Sequence, residues 1–250
     1  MIEEIFAAGH SFIHKTDPRC RVGAATLLCF VIALGQKMPM LWAALGLSVI
    51  LVLWARLNLV HVFRRLLVIW GFLLFLWAIL PFTYDGDVVR QIGKLGATRQ
   101  GIDLCTVISI KSNAILLVFI ALITTMDFST LGYALNFFKI PEKLVHLLLL
   151  TYRYIFVIEQ EYRRLLRAAK LRSFRPGTNM HTYKTYAYLC GMLLVRASAR
   201  AQRVYNAMKC RGFSGRFICL HEFALSPGDK IWTLAALTVT AGLIFLEITL

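Results

Sequence analysis

Two arginines in this chain occupy near-identical settings. The stretches AAKLRSF (168–174) and AMKCRGF (207–213) both read Ala-x-Lys-x-Arg, then Ser or Gly, then Phe, 39 residues apart, and no other stretch repeats this way. The chemistry open to Arg172 and Arg211 is recognition rather than bond making. A guanidinium presents a planar fork of donors that meets carboxylates or backbone carbonyls two at a time. The residue order suits the end of a helix: Lys170 and Lys209 tolerate a last turn, and cations there complement the negative end of the helix dipole. Gly212 is a natural residue just past a helix end, and Ser173 is less so. Phe174 and Phe213 can pack back to fix the turn, while Pro176, Gly177 and Gly215 stop the helix continuing. The pattern reads as two rigid posts with an arginine at each tip. Two tips point to two equivalent receptors, such as the halves of a dimeric partner.

Other residue sets capable of chemistry are sparse. His10 and His14 stand at i,i+4, a spacing metal sites use, but no third ligand is near them in sequence and no metal site is assigned. Asp85, Asp87 and Asp103 are too scattered for a cation site. Ser109, Lys111 and Asn113 place polar atoms inside an apolar run, where such residues default to functional roles. Lys111 could equally snorkel to the membrane surface. The chain has no phosphate-binding G-x-x-x-x-G-K followed by Ser or Thr, and no nucleophile–base pair, so no catalytic residue is assigned. The six cysteines form no C-x-x-C pair and are read as reduced thiols. A stripe of arginines (Arg163, Arg164, Arg167, Arg196, Arg200 and Arg203) is read as a solvated face, or one drawn to anionic lipid at about 1 kcal/mol per cation near the surface.

The elements that carry the tips follow from composition. Of the 250 residues 58% are hydrophobic and 16% charged, and the mean hydropathy is +0.67. A soluble domain of this length would be about 45–50% apolar and about a quarter charged. The excess is concentrated in apolar runs at 22–36, 38–55, 66–84, 112–126 and 231–246. A helix needs about 20 residues to cross the hydrocarbon core. The second and third runs meet that outright; the others need flanking residues such as Arg21, Lys37, Lys111 and Glu247 near the interface. The expected fold is an all-α integral membrane protein with about five crossings, at 22–38, 39–55, 66–83, 105–125 and 231–248. No cleavable signal is expected, since Glu3 and Glu4 stand where a basic segment belongs.

Residues 126–230 hold 17 of the 28 Lys+Arg and 6 of the 13 Asp+Glu, so +11 of the formal +15 lies there. That segment is read as cytoplasmic. The division is 1–125 with four crossings, 126–230 as a basic helical region, and 231–250 as the last crossing. The N-terminus then lies inside, and the other short loops carry six cations inside against four outside. The run LVHLLLLTYRYIFVIE (144–159) is apolar enough to suggest another crossing, but His146 and Arg153 interrupt it, and a crossing would invert the basic segment. A long amphipathic helix from after Pro141 to about Leu171 fits better, with Glu159 and Arg163 paired at i,i+4. A second is expected from after Asn179 to about Lys209. Each repeated heptapeptide then ends one long helix.

At these residues the chain resembles the transmembrane T components of energy-coupling factor transporters, in their cobalt/nickel branch, the CbiQ family. The resemblance rests on LLTYRYIFVIEQEYRRLLRAAKLRSFRP (149–176) and RASARAQRVYNAMKCRGFSGRF (196–217), with DPR (17–19) as a weaker third match. It implies four crossings before and one after a set of cytoplasmic coupling helices. It also implies that two arginine motifs dock into grooves on the two subunits of a dimeric ABC-type ATPase. Carried over, these motifs are Leu171-Arg172-Ser173 and Cys210-Arg211-Gly212, supported by Lys170, Phe174, Lys209 and Phe213, with Ser173 standing where Gly is common. ATP and magnesium would be bound by the ATPase, and the cobalt or nickel ion by a small separate membrane subunit that captures it. Lys111 and Asn113 are then candidates for contact with that capture subunit. The setting would be a bacterial or archaeal cytoplasmic membrane.

Three rivals are weighed against this reading. A stand-alone secondary transporter or channel should show repeated halves and polar midplane residues, which only the Lys111 region hints at. An intramembrane enzyme needs clustered His, Asp or Glu in the crossings, and the crossings lack them. A nucleic-acid binder would use the positive charge, but carries no recognisable module here. Within the resembled class, a vitamin-type T component is the lesser alternative, disfavoured by AMKCRGFSGRF.

Overall fold

The computed structural model describes residues 16–84, 88–92, 95–138, 140–213 and 227–249. Its helices are α1 (Pro18–Leu34), α2 (Met38–Trp54), α3 (Leu59–Thr83), α4 (Arg99–Leu122), α5 (Phe128–Phe137), α6 (Glu142–Leu171), α7 (Met180–Cys210) and α8 (Pro227–Thr249). The chain divides into two compact units. One is Ile2–Ala134 with Phe223–Leu250; the other is Leu135–Glu222.

The first unit is the membrane bundle, built of α1 to α4 and α8. Asp17 caps α1 by accepting the Arg19 N–H at 2.9 Å, and Pro18 follows with the φ that a first helical residue needs. The centre of the bundle joins Leu28 and Ile32 of α1, Met40, Leu41 and Ala44 of α2, Ala114, Val118 and Leu122 of α4, and Trp232 and Leu243 of α8. In lipid the tails are as apolar as leucine, so close packing rather than water exclusion holds helices together. Small residues at the contacts (Ala24, Ala25, Ala44, Ala114, Ala121) allow that approach, and all are buried.

Helices α1 and α2 keep the expected 17 residues, whereas α3, α4 and α8 start upstream of the expected crossings. Among the described residues α3, α4 and α8 are long and apolar enough to span by themselves, whereas the apolar α2 has only 17 residues. At 1.5 Å per residue α2 reaches about 26 Å, close to the hydrocarbon thickness. It stops because the chain turns at Arg56, whose φ of 49° is left-handed. The fourth and fifth runs gain length from flanking polar residues: α4 begins at Arg99 and α8 at Pro227. A short antiparallel hairpin, β1 (Val88–Ile92) with β2 (Leu95–Thr98), precedes α4 and was not expected. The compact unit that holds the first four crossings runs on to Ala134. The reason is local packing: Met126 and Ala134 are buried against Val22 of α1, which keeps this stretch with the bundle.

The second unit contains the two long helices, and their bounds follow the sequence closely. Helix α6 starts after Pro141, whose ring blocks extension backwards. Helix α7 starts after Asn179, whose side chain makes no capping bond; the adjoining turn is held instead by the Gly177 N–H donating to Thr182 Oγ1 at 3.2 Å. The expected Glu159–Arg163 pair forms at 2.6 Å.

Candidate functional site

The two helix ends that carry Arg172 and Arg211 have one backbone geometry. In the first, the Ser173 N–H donates to Lys170 O at 3.0 Å and the Phe174 N–H to Ala169 O at 3.1 Å. In the second, the Gly212 N–H donates to Lys209 O at 3.0 Å and the Phe213 N–H to Met208 O at 3.1 Å. This paired closure satisfies the last helical carbonyls and requires a left-handed residue in third place. Ser173 (φ 65°) and Gly212 (φ 77°) supply it. The residue before each is the arginine, so both guanidiniums leave the helix at the same point of the same turn. Arg172, Arg211, Lys170, Lys209 and Cys210 are exposed, and Leu171 is 89% exposed. An apolar side chain that open beside a cation is suited to a contact still to be made.

The aromatics that follow fix the turns differently. Phe174 is buried, edge-on to Tyr186 of α7 with ring centroids 5.8 Å apart. Phe213 is half-buried and lines an apolar groove of about 670 Å³ between α6 and α7. The walls of that groove include Leu147, Leu150 and Ile158 on α6 and Leu193, Val204 and Met208 on α7.

One residue not singled out from sequence ties the posts together. Glu161 of α6 faces Arg196 and Arg200 of α7 and Arg164 of its own helix, at 3.9 Å from Arg200 and 3.7 Å from Arg164, with Arg196 hydrogen-bonded to it. The signal was present: Glu161 and its neighbour Glu159 are the only acids between Glu142 and Glu222, amid a run of arginines. Part of the arginine stripe is therefore a helix–helix contact. The hydrogen bond from Arg196 holds the Glu161 carboxyl below the usual glutamate range, and the charges of Arg196, Arg164 and Arg200 add to this against burial. A carboxyl depressed in the folded state contributes stability that is complete above its unfolded value and is lost as pH falls through the folded one. Limited proteolysis of the purified protein should thus find Glu161→Gln loosening the α6–α7 pair modestly at neutral pH, with the difference from wild type shrinking as pH falls below the ordinary glutamate range.

Lys111, Ser109 and Asn113 are engaged within the bundle. Lys111 Nζ donates to Ala33 O at 2.9 Å, satisfying a carbonyl in the last turn of α1. Trp70 Nε1 donates to Asn113 Oδ1, and Trp77 Nε1 to Ser109 Oγ, each at 3.0 Å. The two indoles and these two side chains border a groove of about 530 Å³ between α3 and α4. Lys111→Met should lower the thermal unfolding midpoint in detergent, at a cost of about 1 kcal/mol for the unpaired carbonyl. Among the described residues no three potential metal ligands converge. His10, His14, Asp85, Asp87 and Gly215 lie outside the described residues.

The described residues form a helical membrane bundle interrupted by two long helices, each ending in an identically closed arginine tip. The model of the CbiQ family, cobalt transport protein, matches residues 9–218. The chain belongs to this family, the cobalt-type T components of energy-coupling factor transporters. It is 25% identical over 223 residues to the energy-coupling factor transporter transmembrane protein EcfT of Brevibacillus brevis, covering 84% of this chain and 83% of that one. It is 28% identical over 176 residues to the cobalt transport protein CbiQ of Rhodobacter capsulatus, covering 67% and 72%. It is also 27% identical over 118 residues to the nickel permease LarQ of Lactiplantibacillus plantarum, covering 44% and 42%.

Proposed function

We propose that this chain is the coupling subunit of an uptake system for a divalent transition-metal ion, cobalt in the first instance and nickel as the alternative. Arg172 and Arg211 each dock on one subunit of a dimeric ABC-type ATPase. The observation that carries this reading is the shared closure of the two helix ends, which presents two arginines in the same way to two like receptors. ATP and magnesium bind to the ATPase, whose closure draws the two posts together. The long helices pass that motion to a small membrane subunit that holds the ion and releases it inward. The apolar groove between α6 and α7 supports this, since its walls suit an apolar helix of such a subunit. On the bundle, Asn113 beside Trp70 is the element of the expected capture-subunit contact that borders an open groove; Lys111 is occupied by Ala33 O. The basic segment lies on the cytoplasmic side. Cobalt is favoured by the family description and by the name of the Rhodobacter relative, nickel by that of the Lactiplantibacillus relative.

The test is purification of the tagged protein from its own membranes in mild detergent, with partners identified by mass spectrometry. An ABC-type ATPase and a small membrane protein should accompany it, and the ion bound by the small protein identifies the substrate. If no ATPase is recovered with the wild-type chain, the proposal fails.

A further inference from the structure

A third arginine setting lies in the bundle, around the DPR segment that opens α1. Arg21 is 4% exposed, and its Nε and Nη2 donate to Thr16 O at 3.0 and 2.8 Å. Its Nη1 reaches Thr125 Oγ1 at 3.5 Å, just past the end of α4. Thr125 in turn donates to Ala121 O at 3.0 Å, one of the last carbonyls of α4. Asp229, in the first turn of α8, accepts the backbone N–H of Asp17 at 3.0 Å. Thr16, Asp17, Arg21, Thr125 and Asp229 are all buried. Burying polar groups is costly unless they bond to one another, so this cluster holds together only with its members in register.

Its place in the chain gives it a consequence. The chain enters the inserted unit Leu135–Glu222 after Thr125 and leaves it before Asp229. Both flanks are bonded to the first turn of α1 and its cap, and Met126 and Trp232, close to them in sequence, are buried. We infer that the Asp17–Arg21–Thr125–Asp229 cluster is the anchor that converts displacement of the coupling helices into movement of the membrane helices. Arg21 and Asp17 are positioning residues here and touch neither ion nor ATPase. Directional bonds at Thr125 and Asp229 fix the ends of the bundle helices next to both junctions. This rests on the coupling reading above.

The experiment uses the complete transporter in proteoliposomes and measures ATP hydrolysed per radioactive cobalt(II) ion taken up. Arg21→Met, which keeps the bulk of the side chain and removes its donors, should raise that ratio about ten-fold while the ATPase still co-purifies. Thr125→Val should raise it less, and Thr125→Ser, which keeps the hydroxyl, should restore the wild-type value. If Arg21→Met does not accumulate, the Thr125 pair carries the test alone. A wild-type ratio in both Arg21→Met and Thr125→Val overturns the anchor. The Arg172→Ala/Arg211→Ala protein is measured alongside: if it still couples, the docking reading itself is overturned, independently of what the anchor variants do.

Discussion

The Arg172→Ala/Arg211→Ala protein is expected to reach the membrane in wild-type amount and to carry no ATPase through purification. Both side chains are exposed, so their loss leaves packing within the chain untouched. Any effect must come through a partner. Removing one member of a charged contact that is buried on association costs about 2–5 kcal/mol, which is about 30-fold or more in affinity. Either single variant keeps one tip attached, and the second contact is then made at the high effective concentration of a linked site. Singles should therefore retain the ATPase weakly and the double should lose it, a step far larger than the sum of the single losses in recovered protein. Lysine at both positions separates charge from geometry. A compact ammonium cannot make the two parallel bonds of a guanidinium, so a double-lysine protein should resemble the alanine one. If it behaves as wild type, the tips act by charge alone.

Gly212→Val is expected to uncouple the second tip nearly as far as removing Arg211, without touching any side chain. A Cβ built at Gly212 meets no atom within 4 Å, so space is not the obstacle. The cost is in the backbone, where φ is 77° and an L-residue loses about 1–2 kcal/mol, more when β-branched. The chain relieves that strain by opening the last turn, which releases the Gly212 and Phe213 hydrogen bonds and turns Arg211 away. A series at this position should rank Gly and Asn best, then Ala, then Val, because Asn tolerates the left-handed region. The first tip should respond in the opposite sense. Ser173 already carries the strain at φ 65°, so Ser173→Gly should stabilise that closure by about 0.5–1 kcal/mol. ATPase retention and hydrogen exchange at residues 169–174 and 208–213 measure both effects. A Gly212→Val protein that retains the ATPase as wild type does would show that the turn geometry is irrelevant to docking.

These two outcomes depend on features that are local in sequence, which is why they were legible there. A proline or glycine acts on its own backbone, so the start of α6 after Pro141, the break at 172–179 and both arginine tips could be read from consecutive residues. Pro141, Asn179 and the i,i+4 pair Glu159–Arg163 likewise marked the long helices, and unbroken apolar runs marked the bundle. Run length proved a poorer guide to where helices begin, because they continue into polar flanks: α3 starts at Leu59, α4 at Arg99 and α8 at Pro227, upstream of the apolar runs they contain, while α2 matches its run. What the tertiary structure decided is the pairing of polar groups distant in the chain. Glu161 with Arg196, Lys111 with Ala33 O, Arg21 with Thr125 and Asp17 with Asp229 are separated by 35, 78, 104 and 212 residues. A hydrogen bond fixes donor and acceptor to about 3 Å. A single sequence carries no measure of distance between residues that far apart, and only the packing of the helices brings such pairs into reach.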